Sequence, residues 1–511
     1  MWPRPPAIRD RSLWRPDKSR LRITPRGDGM SKIAPEGLTL LTRIGLVLGP
    51  VLGIAVYLAG PPAGLELRAW ALLAIMTLVV VWWVTEAIPV AATALIPLVA
   101  LPLFGIAKPA EAAAPYADPI IYLFVGGFIL AMAVERWGLH RRLALGVVGV
   151  VGTSPRALVA GFLIGAGALS MWISNTATAL IYIPIALGVV RALAGDGEPD
   201  PVLGRALVLA VAYAASIGGV GTPIGSPTNL VMVGYLEKAG MSLSFGQWMT
   251  LAVPLVVVML GAAWLLLALG VKREGDPARS RAVINQARDA LGPITQAELR
   301  VLIIFGLVAA GWVLRQPAGE AIPALKGLSD MQIAMAGVLA LFLVPSGAKG
   351  GGALMDWPTA ERIPWGVALM FGAGLSMAAA METTGVTGWL SEALAFLQTW
   401  PPILVLAMIV AVTVIVSEVA SNVATLTAVL PIVAAAAAAT GIAPLYLVFA
   451  ATMGASLAFM MPMGTAPNAI AYATGYASIG RMVRIGFVLN LCGIALVVGV
   501  VQTFGPTVLG R

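Results

Sequence analysis

Ser174-Asn175-Thr176-Ala177-Thr178 stands in the middle of one apolar stretch, and Ser421-Asn422-Val423-Ala424-Thr425 stands in the middle of another. Hydroxyl and amide groups are costly to bury without partners, so such a cluster in apolar sequence marks a candidate site. Ser and Asn are also good helix N-caps, because their side-chain oxygens accept free backbone N–H groups of a first turn. Each motif therefore reads as a point where one helix ends and another starts, with the positive end of the new helix dipole facing the break. Free N–H groups there form an anion site without a basic side chain, and neither motif contains Lys or Arg. The arriving helix ends in carbonyl oxygens of opposite polarity. With Ser170, Ser174, Asn175 and Gly225 on one side, and Ser417, Ala420, Asn422 and Gly464 on the other, these can surround a small hard cation, which favours hydroxyl, amide and backbone oxygens.

The motifs belong to a longer internal repeat. Phe124, Gly127, Ala131, Glu135 and Gly138 recur 247 positions later as Phe371, Gly374, Ala378, Glu382 and Gly385, and Pro184-Ile185 recurs as Pro431-Ile432 at the same offset. Each copy is followed by a second shared element, Pro223-Ile224-Gly225-Ser226 with Asn229, and Pro462-Met463-Gly464-Thr465 with Asn468. Gly beside Pro and a hydroxyl residue reads as an unwound segment within a helix. One isolated Ser-Asn-x-Ala-Thr is explained well enough by close helix packing in a membrane. Two in register, each followed by the same break, point instead to a binding site where two halves meet.

The composition is that of a polytopic membrane protein: 59% of the 511 residues are hydrophobic and 11% charged. Apolar segments predict spans near 40–60, 68–85, 89–106, 118–135, 203–236, 247–271, 297–315, 330–346, 363–391, 442–475 and 482–507, about eleven of roughly 20 residues each. Two further stretches, 156–191 and 401–439, are too long for one span and carry the Ser-Asn motifs at their centres. They read as re-entrant hairpins, whose non-helical tips are tolerable only where they line a cavity or are buried in protein. The resulting fold class is all-α, with an N-terminal segment 1–37, a first helix in 38–67, one repeat over 68–273, a polar linker at 274–296 and a second repeat over 297–511. Five spans separate the two repeat helices, so the copies enter the membrane from opposite sides as an inverted repeat.

The net charge of +8 is concentrated at the start, with eight basic residues between Arg4 and Arg26. That Pro- and Arg-rich segment has no helical apolar period and reads as disordered, and Met30 offers an alternative start. With a cytoplasmic N-terminus, sixteen later basic residues fall on the cytoplasmic side and six outside, in keeping with the positive-inside rule. The single Cys492 forms no intrachain disulfide, and His140, beside Arg141 and Arg142, reads as a loop residue. Glu86 reads as a helix-end residue, Glu135 and Glu382 as structural, and Trp82-Trp83 as an interfacial pair. No metalloprotease, redox or P-loop motif is present, and no nucleophile–base pair or metal cluster supports an intramembrane enzyme.

At the doubled motifs the chain resembles the divalent anion/sodium symporter family, the sodium–dicarboxylate cotransporters, over about residues 38–511. The resemblance implies one sodium site at Ser170, Ser174, Asn175 and Gly225, and another at Ser417, Ala420, Asn422 and Gly464. It implies substrate carboxylates at Asn175, Thr176, Ser226, Asn422 and Thr465, with Val423 contributing backbone only, since it lacks the hydroxyl of the strict Ser-Asn-Thr pattern. It also implies a homodimer with a fixed scaffold and a moving transport part, working by elevator-like alternating access. The expectation is an integral protein of a bacterial inner membrane that imports a C4-dicarboxylate such as succinate, malate or fumarate together with sodium ions. A sodium-independent dicarboxylate exchanger, a carrier of sulfate or citrate, and a passive anion channel are the competing readings.

Overall fold

The computed structural model describes residues 40–508, apart from 153, 195–196, 242, 272–276 and 349. The Arg-rich N-terminal segment, Met30, Lys272 and Arg273 lie outside the described residues. The described chain is helical, its only β feature an isolated bridge between Pro345 and Ala353. Ten of its helices are long and apolar enough to cross a membrane.

Several expected spans are subdivided, and the cause is local in each case. The 203–236 stretch forms Pro201–Gly219 and Pro227–Lys238, interrupted at the Pro-Ile-Gly-Ser element; 442–475 forms Pro444–Ala455 and Ala466–Ala473, interrupted at Pro-Met-Gly-Thr. Residues 363–391 form Trp365–Thr383 and Val386–Ala393 because Gly385 takes the left-handed conformation, φ 78° and ψ 6°. Its repeat mate Gly138, φ 75° and ψ 6°, makes the same corner before the helix Leu139–Val151, an element the hydropathy pattern did not suggest. At 89–106 the prolines divide the chain into Val90–Thr93 and Ile96–Leu103. The polar linker contains a further helix, Pro277–Asp289.

Each long stretch with a Ser-Asn motif folds as two helices joined by a short turn. The first pair is Pro155–Ser170 and Asn175–Ala194; the second is Pro402–Ser417 and Asn422–Thr440. The starts and stops of the first arms and the restarts of the second all differ by 247. Pro201–Gly219 packs between both arms of the first pair and is the most deeply buried long helix, with Leu207 to Ala215 fully inaccessible. Small residues permit this: Gly218 lies against the Gly167 carbonyl so closely that a methyl group could not be accommodated.

A second apolar cluster joins Ala69, Leu72, Ile75, Val79 and Trp83 of Leu67–Thr85 to Met370, Ala373, Met377 and Ala380 of Trp365–Thr383. Helical spacing puts each set on one face. The first helix, Leu40–Ala59, turns Gly45, Gly49 and Gly53 toward Thr85, Trp82 and Ala74, and leaves Val47, Val51, Ile54 and Leu58 exposed as a lipid-type surface.

Two of the sequence expectations are corrected. Trp83 is fully buried and donates to the Val90 carbonyl (3.2 Å), so it is a packing residue and not part of an interfacial belt. His140 is in the first turn of Leu139–Val151, 4% exposed, with Nδ1 3.2 Å from the Val134 carbonyl; it is not a loop residue. Beside it, Arg142 bridges Glu298 (3.1 Å) and the carbonyls of Leu291, Gly292 and Pro293, which fastens this corner to the loop before Gln296–Ala321. Glu86 does sit at a helix end, as the left-handed C-cap of Leu67–Thr85.

Candidate functional site

The two tips are built alike. Ser174 accepts a hydrogen bond from the Ala177 N–H (3.2 Å), and Ser421 accepts one from Ala424 (3.3 Å), so each serine caps its returning helix. Behind each cap, the last residue of the arriving helix presents a buried hydroxyl. Ser170 Oγ lies 2.8 Å from Asn175 Oδ1 and 2.7 Å from the Ala215 carbonyl. Ser417 Oγ lies 2.7 Å from the Asn422 amide and 2.5 Å from the Ala455 carbonyl. A hydroxyl has one proton, and at Ser170 it faces two acceptors. For Asn422, turning the amide nitrogen inward lets it donate to Ser417 Oγ (2.7 Å), Ala455 O (3.2 Å) and Gly464 O (3.3 Å). With the oxygen inward, four oxygens converge, an arrangement that a cation resolves.

The broken helices complete each cluster. Asn229 spans the first break by donating to the Gly219 and Thr222 carbonyls (both 2.8 Å); Asn468 spans the second by donating to those of Ala458 (2.9 Å) and Met461 (3.1 Å). Gly225 is held where a β-carbon would lie 2.6, 2.8 and 2.9 Å from the carbonyl oxygens of Gly219, Met171 and Ser170. Its missing side chain thus faces a ring of three backbone oxygens. Gly464 faces the carbonyls of Ser417 and Glu418, at 3.3 and 3.4 Å from the corresponding point. Ala420 is buried in the turn between its two arms, outside this hydrogen-bonded set.

Both tips open into one cavity of about 520 Å³. Asn175, Thr176, Ser226, Asn422, Val423 and Thr465 all line it, as do Ser174, Ser421 and Gly464. Ser170, Ser417 and Gly225 stand behind that lining, buried. The opposite wall comes from Phe128, Met132 and Glu135 of Pro119–Arg136 and from Arg362, Pro364 and Val367. Arg362 is a cavity residue that the sequence did not single out. Glu135, which the repeat marks as a structural helix-end residue, also borders the cavity. A hydroxyl chain, Ser226 to Thr228 (2.8 Å) to Ser456 (3.0 Å), links the two copies beneath the cavity.

The Arg362 segment is anchored just upstream. Asp356 caps Thr359 (2.9 Å) and pairs with Arg136 (2.5 Å) at the end of Pro119–Arg136. Hydrogen bonds from Thr359 and from the Arg136 guanidinium hold the Asp356 carboxyl down at about 2, from an ordinary 3.8. A carboxyl depressed on folding stabilises above its unfolded value and ceases to do so as pH falls through its folded value. The melting-temperature advantage of the wild type over Asp356→Asn should therefore be level above pH 4 and vanish between about pH 4 and 2. Melting in detergent across that range checks it.

A helical membrane protein with two repeated, oxygen-rich helix breaks on a common cavity has the architecture of a secondary transporter. The family profile described as the sodium:sulfate symporter transmembrane region matches residues 42–510, and the chain belongs to that family of transporters. It is 38% identical to the sodium-dependent dicarboxylate transporter SdcS of Staphylococcus saprophyticus over 477 residues, 91% of this chain and 92% of that one; SdcS of Staphylococcus aureus matches to the same extent. Among solved structures, the YdaH transporter of Alcanivorax borkumensis aligns with a TM-score of 0.55 at 18% identity, covering 92% of this chain and 99% of YdaH. MtrF of Neisseria gonorrhoeae aligns with a TM-score of 0.55 at 13% identity, covering 90% and 93%. The family resemblance read from the doubled motifs is borne out, and so is the all-helical membrane fold.

Proposed function

We propose that this chain is a sodium-coupled symporter that imports C4-dicarboxylates such as succinate, malate or fumarate. The observation that carries the reading is the pair of repeat-equivalent oxygen clusters bordering one cavity. Ser170, Ser174, Asn175 and Gly225 would hold one sodium ion; Ser417, Ala420, Asn422 and Gly464 would hold another. Asn175, Thr176, Ser226, Asn422 and Thr465, with the backbone of Val423, would meet the substrate carboxylates. Two cations offset the dianion's charge and complete its site, so substrate binds well only after sodium. The names of the SdcS relatives agree with both the ion and the substrate class.

Alternating access fits the arrangement of the copies. The cavity uses the C-terminal half of Pro119–Arg136 but the N-terminal end of its repeat mate, Trp365–Thr383, together with Pro364. That pattern supports an inverted repeat with re-entrant tips; with the cytoplasmic N-terminus that the positive-inside count favours, the cavity opens to the cytoplasm in this conformation. An elevator-like movement and a homodimer in the bacterial inner membrane belong to the same reading.

One observation favours a second reading. The Arg362 guanidinium on the cavity wall offers a fixed positive charge, which a sodium-independent dicarboxylate exchanger, or a carrier of sulfate or citrate, could use instead of cations. Labelled succinate uptake into proteoliposomes separates the two. Uptake into empty vesicles under a sodium gradient, and not a potassium gradient, supports symport. Uptake only into succinate-loaded vesicles, whatever the cation, overturns it in favour of exchange.

A further inference from the structure

The two half-sites differ in how their helix breaks are held, and the difference involves a buried charge. In the first copy the break is fastened from its own side: the Thr222 hydroxyl donates to the Met171 carbonyl at the hairpin tip, and the Met171 side chain lies against Gly221. In the second copy the residue types are exchanged. Glu418 stands at the position of Met171, and Met461 stands at that of Thr222. Glu418 is 3% exposed. Its carboxylate accepts from the backbone N–H groups of Phe459 (2.8 Å), Met460 (2.9 and 3.0 Å) and Met461 (2.9 Å), and from Asn490 Nδ2 (2.7 Å). Every one of these partners is a donor. Meanwhile the Glu418 backbone carbonyl faces Gly464 across the oxygen cluster. A single residue thus grips both walls of the second half-site.

We propose that Glu418 is a positioning residue that fixes the second break in its ligand-presenting shape and gives that half-site a negative charge the first one lacks, so that the two cation sites are unequal and the second is the tighter. The inference rests on the sodium-coupled reading above. A carboxylate beside an oxygen cluster in a low-dielectric interior favours a cation there, and an ionisable group at membrane depth marks a functional candidate. Asn490 steadies the carboxylate from the helix Ile479–Val508, so it acts on the cation only through Glu418.

The test measures sodium directly, without transport. Purified wild-type protein, Glu418→Gln and Asn490→Ala are melted in detergent across a sodium series, with choline keeping ionic strength constant. A ligand that binds only the folded state raises the melting temperature according to its concentration relative to its dissociation constant. The expected result is a sodium midpoint raised about tenfold or more in Glu418→Gln and about two- to fivefold in Asn490→Ala, equivalent to about 1.4 kcal/mol for each tenfold. The tighter of two sodium phases should be the one displaced. A variant that melts lower but keeps the wild-type midpoint would show a structural clamp only and overturn the proposal; if Glu418→Gln cannot be purified, an unchanged midpoint in Asn490→Ala does the same. A wild-type protein indifferent to sodium would overturn the symport reading, and this inference with it.

Discussion

Gly225→Ala is expected to lose sodium-driven uptake almost completely, whereas Gly464→Ala should only weaken it. A methyl on Gly225 would enter a ring of three backbone carbonyl oxygens at 2.6–2.9 Å, none of which belongs to a side chain that could swing away. Relieving the contact means moving the tip or the break, at about 1–3 kcal/mol for overpacking a tight site. If that displacement falls on the cation-competent geometry, sodium affinity drops by about ten- to a hundredfold. At Gly464 the nearest atom is the Ala458 β-carbon at 3.1 Å, and the carbonyls stand at 3.3 and 3.4 Å, so shifts of a few tenths of an ångström suffice. About a two- to fivefold rise in the sodium requirement should follow. Uptake in proteoliposomes at limiting and saturating sodium, for both variants, measures the contrast. Equal tolerance at both glycines would remove the carbonyl ring from the mechanism.

Asn175→Ala and Asn422→Ala carry the second large effect. Each asparagine touches the buried hydroxyl of its own tip and faces the shared cavity, so each change deletes a candidate ligand on both surfaces. A buried polar group left without its partner costs about 1–3 kcal/mol, and here the same atom serves cation and anion. Each variant should lose about one to two orders of magnitude in sodium-dependent succinate uptake. Because the helix caps are Ser174 and Ser421, folding should survive. Unimpaired uptake in both variants would exclude the tips as the binding site.

Much of this site was legible because it occurs twice. The offset of 247 located both caps, both terminal serines and the restart of both helices, and local chemistry explained each: hydroxyls cap, Pro-x-Gly breaks, and Gly138 and Gly385 turn corners. The cavity positions of Glu135 and Arg362 were not legible, because they depend on how two helices cross, and sequence periodicity does not record crossing. Helix Leu139–Val151 was missed because a thirteen-residue element is too short for a span and was lost between stronger segments. Glu418 did leave a signal: it is the only charged residue between Trp400 and Thr440. A reading guided by what the copies share passes over it, since its importance lies in where they differ.

The ring of Phe124 rests 5.7 Å from that of Phe371, its own repeat mate. When equivalent positions of two copies touch, they lie on the operation that interchanges them. If the copies trade conformations during a transport cycle, that contact is a fulcrum, unchanged at both ends of the stroke. Distance probes placed there would be silent, while probes reaching from Met132 to the tips should lengthen and those from Ala379 should shorten. Under the alternating-access proposal, the second state can accordingly be drawn from the first, by giving each copy the shape now worn by the other.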